Sequence, residues 1–176
     1  MAKVRTFSRY YPKGHPKEGQ PTFFVEKIWN GLNYLQLPVP KNKDMPHDFM
    51  WSILPLSNYG TKFHTIRAGN HFKPGDKFSP RVWSGKPYAS KQIIIAPDIE
   101  VIKDWKFEMQ PAKFLDECRF LINGELISQE NYDKACMNDG LSRADFANWF
   151  CGAELMSTKR KPFKGQIICW SEDVEY

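Results

Sequence analysis

No apolar run in this chain reaches the 18 or so residues that a membrane-spanning helix requires. The residues Met1-Ala2-Lys3-Val4-Arg5 lead into no apolar h-region, so the N-terminus does not read as a secretory signal. The 4 cysteines (Cys118, Cys136, Cys151 and Cys169) are widely spaced, with no C-x-x-C pair. That argues against a zinc site and for reduced thiols in a cytoplasmic compartment. Cys151 and Cys169 lie in apolar surroundings and read as core residues. No metal ligand set is apparent, no cofactor is implied, and no internal repeat is visible. Acidic residues are nearly missing from one region: residues 60–91 hold one, Asp76, against seven Lys or Arg, a net of +6.

What is present suits one globular unit. With 176 residues and 41% apolar content, the chain can bury a single sizeable core. The formal net charge of +5 is modest, but it is unevenly laid down. Residues 92–158 carry six Lys or Arg and twelve Asp or Glu, so the positive potential gathers on residues 60–91. Such a concentration is the footprint of a surface that tracks phosphates, although lysines on solvated strands produce it too.

The basic region opens on Gly60-Thr61-Lys62-Phe63-His64-Thr65-Ile66-Arg67 and continues through His71-Phe72-Lys73-Pro74-Gly75-Asp76. If residues 63–67 form a strand, side chains alternate between its faces. Phe63, Thr65 and Arg67 then share one face, and His64 and Ile66 the other. A cation beside a hydroxyl on one sheet face is a plausible anion or nucleotide-edge site. His64, on the face away from Thr65, reads as a packed or surface histidine rather than a base.

The order Gly60, Lys62, Thr65, Arg67 fits G-x-K-x-x-E-x-R, the signature of the ASCH domain, with Thr65 standing where many members carry glutamate. Lysine, threonine three residues on, then isoleucine and arginine resembles one branch of that family, the small bacterial amidohydrolases acting on N4-acetylcytidine. Asp139-Gly140-Leu141-Ser142-Arg143-Ala144-Asp145-Phe146 resembles the ASCH segment in which an acidic residue precedes a short helix. The resemblance implies an α+β fold: a PUA-like, partly closed β-barrel of about six strands with flanking helices. It also implies a catalytic set of Lys62, Thr65 and Asp139, the last an aspartate where the branch has a glutamate. The chemistry is coherent. A threonine hydroxyl needs a base to become a nucleophile, and a lysine serves only if burial or a neighbouring cation depresses its pKa. Arg67 is placed to supply that cation, or to hold a phosphate or developing oxyanion. In a regular strand, however, Lys62 and Thr65 face opposite ways, and they converge only if the chain turns near Gly60.

The rest of the chain reads as alternating segments. A first strand is predicted from Val4 to Arg9, with Phe7 inward, followed by a Pro/Gly/Lys loop at residues 10–21. A helix is expected over residues 23–29, with Pro21 in its first turn and Gly31 ending it. Residues 35–46 read as a linker, and 49–54 as a short apolar run. Strands are predicted near 63–67, 77–83, 92–108 (broken at Pro97), 118–127 and 166–170. Asn123-Gly124 marks a two-residue hairpin within 118–127. Helical spacing covers 131–137 and 143–155, the second opened by the capping box Ser142-x-x-Asp145. Residues 159–161 form a basic turn. The N-terminal extension, residues 10–58, is longer than a minimal ASCH domain needs and offers a loop, residues 13–19, that could cover a cleft.

Arg81-Val82-Trp83-Ser84-Gly85-Lys86-Pro87-Tyr88 interleaves cations and rings, as base-stacking surfaces do. Trp83 equally suits the core, and Tyr88 is expected to be exposed. The leading expectation is a domain binding RNA or a modified nucleoside, with ligand contacts from Arg67, His71, Lys73, Arg81 and Tyr88. The alternatives are hydrolysis of an acylated cytidine by Thr65 and Lys62, and a protein-interaction module whose basic face meets an acidic partner.

Overall fold

The computed structural model describes residues 2–34, 56–110, 118–151 and 162–176. The readings of residues 35–46 and 49–54, the basic turn at 159–161 and the end of the last helix lie outside the described residues. The chain order is β1 (Lys3–Thr6), α1 (Phe24–Tyr34), a 3-10 turn (Leu56–Tyr59), β2 (His64–Ala68), β3 (Lys77–Trp83), β4 (Gln92–Ile94) and β5 (Ile99–Glu100). It continues through β6 (Lys103–Gln110), β7 (Arg119–Ile122), β8 (Glu125–Leu126), α2 (Gln129–Asp139), α3 (Arg143–Cys151) and β9 (Phe163–Cys169). Among the described residues no helix is long and apolar enough to cross a membrane.

The architecture is α+β, with the strands in two sheets rather than one closed barrel. β1, β3 and β4 form the first sheet, with β5 also on β3. The second runs β2-β9-β6-β7-β8. The long strand expected over 92–108 is where the two outlines part. It breaks into β4, β5 and β6: β4 and β5 pair with β3, whereas β6 pairs with β9. Pro97 lacks the N–H that a continuous ladder would need there, and the segment crosses from one sheet to the other.

Local chemistry accounts for the elements that frame the site. Thr22 Oγ1 accepts from the N–H of Phe24, the first residue of α1, at 3.3 Å, so the helix starts after Pro21 rather than around it. Val25, Ile28, Trp29 and Leu32 recur at helical spacing and bury one stripe of α1 in the first core. Gly31 does not end the helix. A β-carbon there would sit 2.6 Å from the Lys62 carbonyl oxygen, so a glycine lets α1 lie against the start of the motif segment. Ser128 caps α2 by accepting from the Asn131 N–H at 3.1 Å. The helix ends at Gly140, φ 76°, and the Leu141 N–H returns to the Cys136 carbonyl at 3.0 Å, a Schellman ending.

Two cores result. Phe7, Phe72, Phe78, Ile168 and Trp170 join the α1 stripe in the first. Ile66, Phe107, Phe120, Phe146 and Ile167 pack with α2 and α3 in the second. β2 and β9 separate the two, so each presents one set of side chains to either core.

Candidate functional site

Lys62 lies just before β2, and its backbone is held from two sides. Its N–H donates to the Lys27 carbonyl at 3.0 Å, and the next N–H, of Phe63, donates to the Asn138 carbonyl at 2.8 Å. The side chain therefore enters beneath the end of α2. Lys62 Nζ donates to the Asp139 main-chain oxygen at 2.5 Å and to its Oδ1 at 2.6 Å. It also lies 4.3 Å from the centre of the Phe24 ring. Lys62 is 1% exposed and Asp139 5%.

The position of Asp139 explains the partnership. A carboxylate on the last residue of a helix faces the negative end of the macrodipole, so a cation there answers both the side chain and the final carbonyls. Lys27 adds a second, donating to the Gly140 oxygen at 2.7 Å. Burial nonetheless works against both charges. Desolvation lowers the Lys62 amine from 10.5 to about 8, with the Asp139 carboxylate opposing the shift. Desolvation likewise raises the Asp139 carboxyl, opposed by Lys62.

His64 completes this buried group. Its Nε2 is 3.7 Å from Asp139 Oδ1, and its Nδ1 is 2.7 Å from the Tyr176 hydroxyl. Asn138 Nδ2 donates to that hydroxyl at 3.2 Å. With the hydroxyl proton given to His64 Nδ1, the neutral ring carries its own proton on Nε2, the nitrogen nearer Asp139. Desolvation first, then Lys62, holds His64 well below the usual histidine range, so the ring is neutral. The alternation expected of β2 is visible here. His64 and Ile66 turn toward the second core.

Thr65 and Arg67 take the other face of β2. Their register partners on β9 are Ile168 and Gln166, and Ile168 belongs to the first core. Lys62 and Asp139 are thus brought together, while Thr65 is buried on the opposite face of the strand. Arg67 reaches across to the first sheet: one terminal N–H donates to the Thr6 carbonyl at 2.7 Å, and the guanidinium lies 5.2 Å from the centre of the Phe7 ring. Desolvation lowers its pKa; the Asp139 charge opposes that shift and the Arg5 charge adds to it. Gln166, 1% exposed, fixes the following loop: its Oε1 accepts from the His71 and Phe72 N–H groups at 2.5 and 2.9 Å, and its Nε2 donates to the Phe72 carbonyl at 2.9 Å.

The remaining expected contacts lie further out. His71 and Lys73 are exposed, on the loop that Gln166 and Asp76 hold. Arg81, on β3, donates to Ser79 Oγ and Gln92 Oε1 at 3.2 and 3.3 Å. Tyr88 is 89% exposed, with φ 62°, and leans on Trp83 at 5.4 Å between ring centres.

The loop at residues 13–19 packs on α3. Lys17 Nζ meets Asp145 Oδ2 at 2.7 Å, and buried His15 stacks on Tyr11 at 4.4 Å. Sequence reasoning missed Arg5, Asn138 and Tyr176. None sits inside the motif, and only the fold carries them to it. Beside the buried pair opens a cleft of about 400 Å³, lined in part by Thr61, Phe63, Asn138 and Ser171. Among the described residues no cluster of His, Cys, Asp and Glu is suited to a metal ion. Comparison with protein-family models, with curated proteins and with solved structures gives no match to this chain.

Proposed function

We propose that the chain is an ASCH-like, PUA-type domain that binds RNA or a modified nucleoside on the cationic side of β1, β2 and β3. Arg67 carries the reading. Among the described residues it forms no ion pair, its Nε lies buried without a hydrogen-bond partner, and the residue as a whole is only half-buried. A desolvated arginine in that state gains most from an anion that takes its free donors. The exposed Tyr88 on Trp83 supports the same reading, since an outward ring offers a base a stacking surface. The test is binding of a short oligoribonucleotide by wild type and Arg67→Gln. Affinity in the variant should fall by about 10-fold or more; equal affinity would remove the reading.

Hydrolysis of an N4-acylated cytidine is the second reading. It is supported by the Lys62 amine, lowered to about 8 and so close to the value a general base needs near neutral pH. A screen of acylated nucleosides for released acid decides it. Thr65 lies on the face of β2 away from Lys62, so this reading requires the start of the strand to turn when substrate binds. Thr65→Ala should then abolish turnover and leave RNA affinity unchanged, and turnover that survives Thr65→Ala would exclude that hydroxyl as nucleophile.

A further inference from the structure

Among the described residues, four buried side-chain N or O atoms lack a hydrogen-bond partner: Arg5 Nε, His64 Nε2, Arg67 Nε and Trp170 Nε1. His64 belongs to the Lys62–Asp139 group. The other three are all N–H donors, and all sit on one set of rings. Arg67 lies over Phe7 at 5.2 Å and Arg5 over Phe72 at 4.4 Å. Phe78 joins these rings, 6.5 Å from Phe7 and 6.1 Å from Phe72, and Trp170 is 5.8 Å from Phe78.

The two arginines are neighbours across the seam between the sheets. Arg67 hydrogen-bonds the carbonyl of Thr6, the residue after Arg5. Arg5 alternates along β1 onto the same side as Phe7, the ring that Arg67 covers. Arg5 itself donates to the Val4 carbonyl at 2.9 Å. Lys3, on the same side of β1 and 4.7 Å from the centre of the Phe72 ring, has its carboxylate: Asp76 Oδ2 at 2.9 Å. Arg5 and Arg67 form no ion pair among the described residues. Two like charges beside one another on an apolar floor, with their inner donors unused, are destabilising unless an acceptor joins them.

We propose that Arg5 and Arg67 form a two-pronged oxyanion site for a phosphate group, seated at the β1–β2 seam over Phe7 and Phe72. Guanidinium forks match the oxygens of phosphate bidentately, and aromatic faces beneath them fix their planes. Arg5 and Arg67 are each half-buried as residues with the Nε atoms covered, so a phosphate meets the outer edges of the guanidinium groups first. The inference rests on the nucleic-acid reading for the nature of the ligand, and sharpens it: the chain holds a phosphorylated ligand through the sugar-phosphate rather than through the base alone. The phosphate belongs either to an RNA backbone or to a small phosphorylated molecule.

Calorimetric titration at low salt separates these. The probes are inorganic phosphate and an oligoribonucleotide without terminal phosphates, each added to wild type and to Arg5→Gln. Wild type should bind both, with phosphate displacing the oligoribonucleotide, and Arg5→Gln should weaken both by about 10- to 100-fold. Arg5→Lys, which keeps the charge and loses the fork, should fall between them; it serves as the second variant should Arg5→Gln melt early. Oligoribonucleotide binding that ignores Arg5 and is untouched by phosphate overturns the site and leaves the nucleic-acid reading standing. Arg5-dependent binding of phosphate without any oligoribonucleotide binding upholds the site and overturns that reading, assigning the phosphate to a small molecule. Binding of neither probe overturns both.

Discussion

At the scale of single residues, the Lys62–Asp139 pair is the clearest case of burial set against charge. Removing one member strands the other in a site with almost no solvent. Lys62→Met should therefore destabilise the fold by about 3–5 kcal/mol, measured by denaturant unfolding. The double variant Lys62→Met with Asp139→Leu should recover most of that loss, because a buried pair contributes little beyond well-packed apolar groups. If the double variant is no more stable than the single one, the pair is worth more than its desolvation costs.

The same pair sets a pH signature. Below about pH 8 both folded and unfolded chains hold the Lys62 proton, and the native state carries the full burden of burying that charge. Between about 8 and 10.5 only the unfolded chain keeps it, so stability rises with pH through that window. The buried thiols oppose this from above. Cys136 and Cys169 are pushed up from 9.0 to about 12 and about 11 by desolvation, so above about 9 the unfolded chain sheds protons that the native one keeps, and stability falls. The net gain is confined to roughly pH 8–9. Urea midpoints across that range should rise in wild type and stay flat in Lys62→Met.

At the scale of elements, Gly31 decides how closely α1 can approach the pair. A β-carbon on Gly31 would meet the Lys62 carbonyl at 2.6 Å, and backbone cannot yield cheaply. Gly31→Ala should cost about 1–3 kcal/mol, although alanine is the better helix former by propensity. Thermal melting checks the sign: a stabilised variant would mean that α1 does not press on the motif segment.

Gly31 also shows what a sequence can and cannot reveal about elements. A glycine near the end of a helical pattern reads as a stop; its use for a close approach depends on a segment some thirty residues away. The same holds for Asp139-Gly140, legible as a turn, where the turn proves to be the Schellman ending of α2. Purely local signals translated directly. Asn123 and Gly124 take φ of 53° and 89°, as a two-residue hairpin turn demands, and Ser142 Oγ accepts from the Asp145 N–H at 3.1 Å. Residues 92–108 did not translate, since their apolar run is equally compatible with one long strand or three short ones.

At the scale of the whole molecule, β2 is the partition. One face carries Lys62's neighbours and the second core, the other Thr65, Arg67 and the seam with β1. Alternation along residues 63–67 was legible in the sequence; that the two faces belong to different cores was not, because it depends on which sheet each later strand joins. Arg5 was hidden for the same reason, since nothing near it in sequence marks it, and only the pairing of β1 with β3 and the reach of Arg67 bring it to the seam. The aromatic floor is likewise assembled from Phe7, Phe72, Phe78 and Trp170, residues spread over almost the full length of the chain.

The central claim is that Arg67 at this seam anchors a nucleic-acid phosphate, and the salt dependence of oligoribonucleotide binding tests it most directly. Each phosphate neutralised by a cation releases counterions, so log affinity falls with log salt, by about 0.7 per contact for single strands. Fluorescence anisotropy titrations over a series of salt concentrations should show that fall in wild type and a slope shallower by roughly one contact in Arg67→Gln. An affinity indifferent to salt, or a slope that Arg67→Gln leaves unchanged, would contradict it.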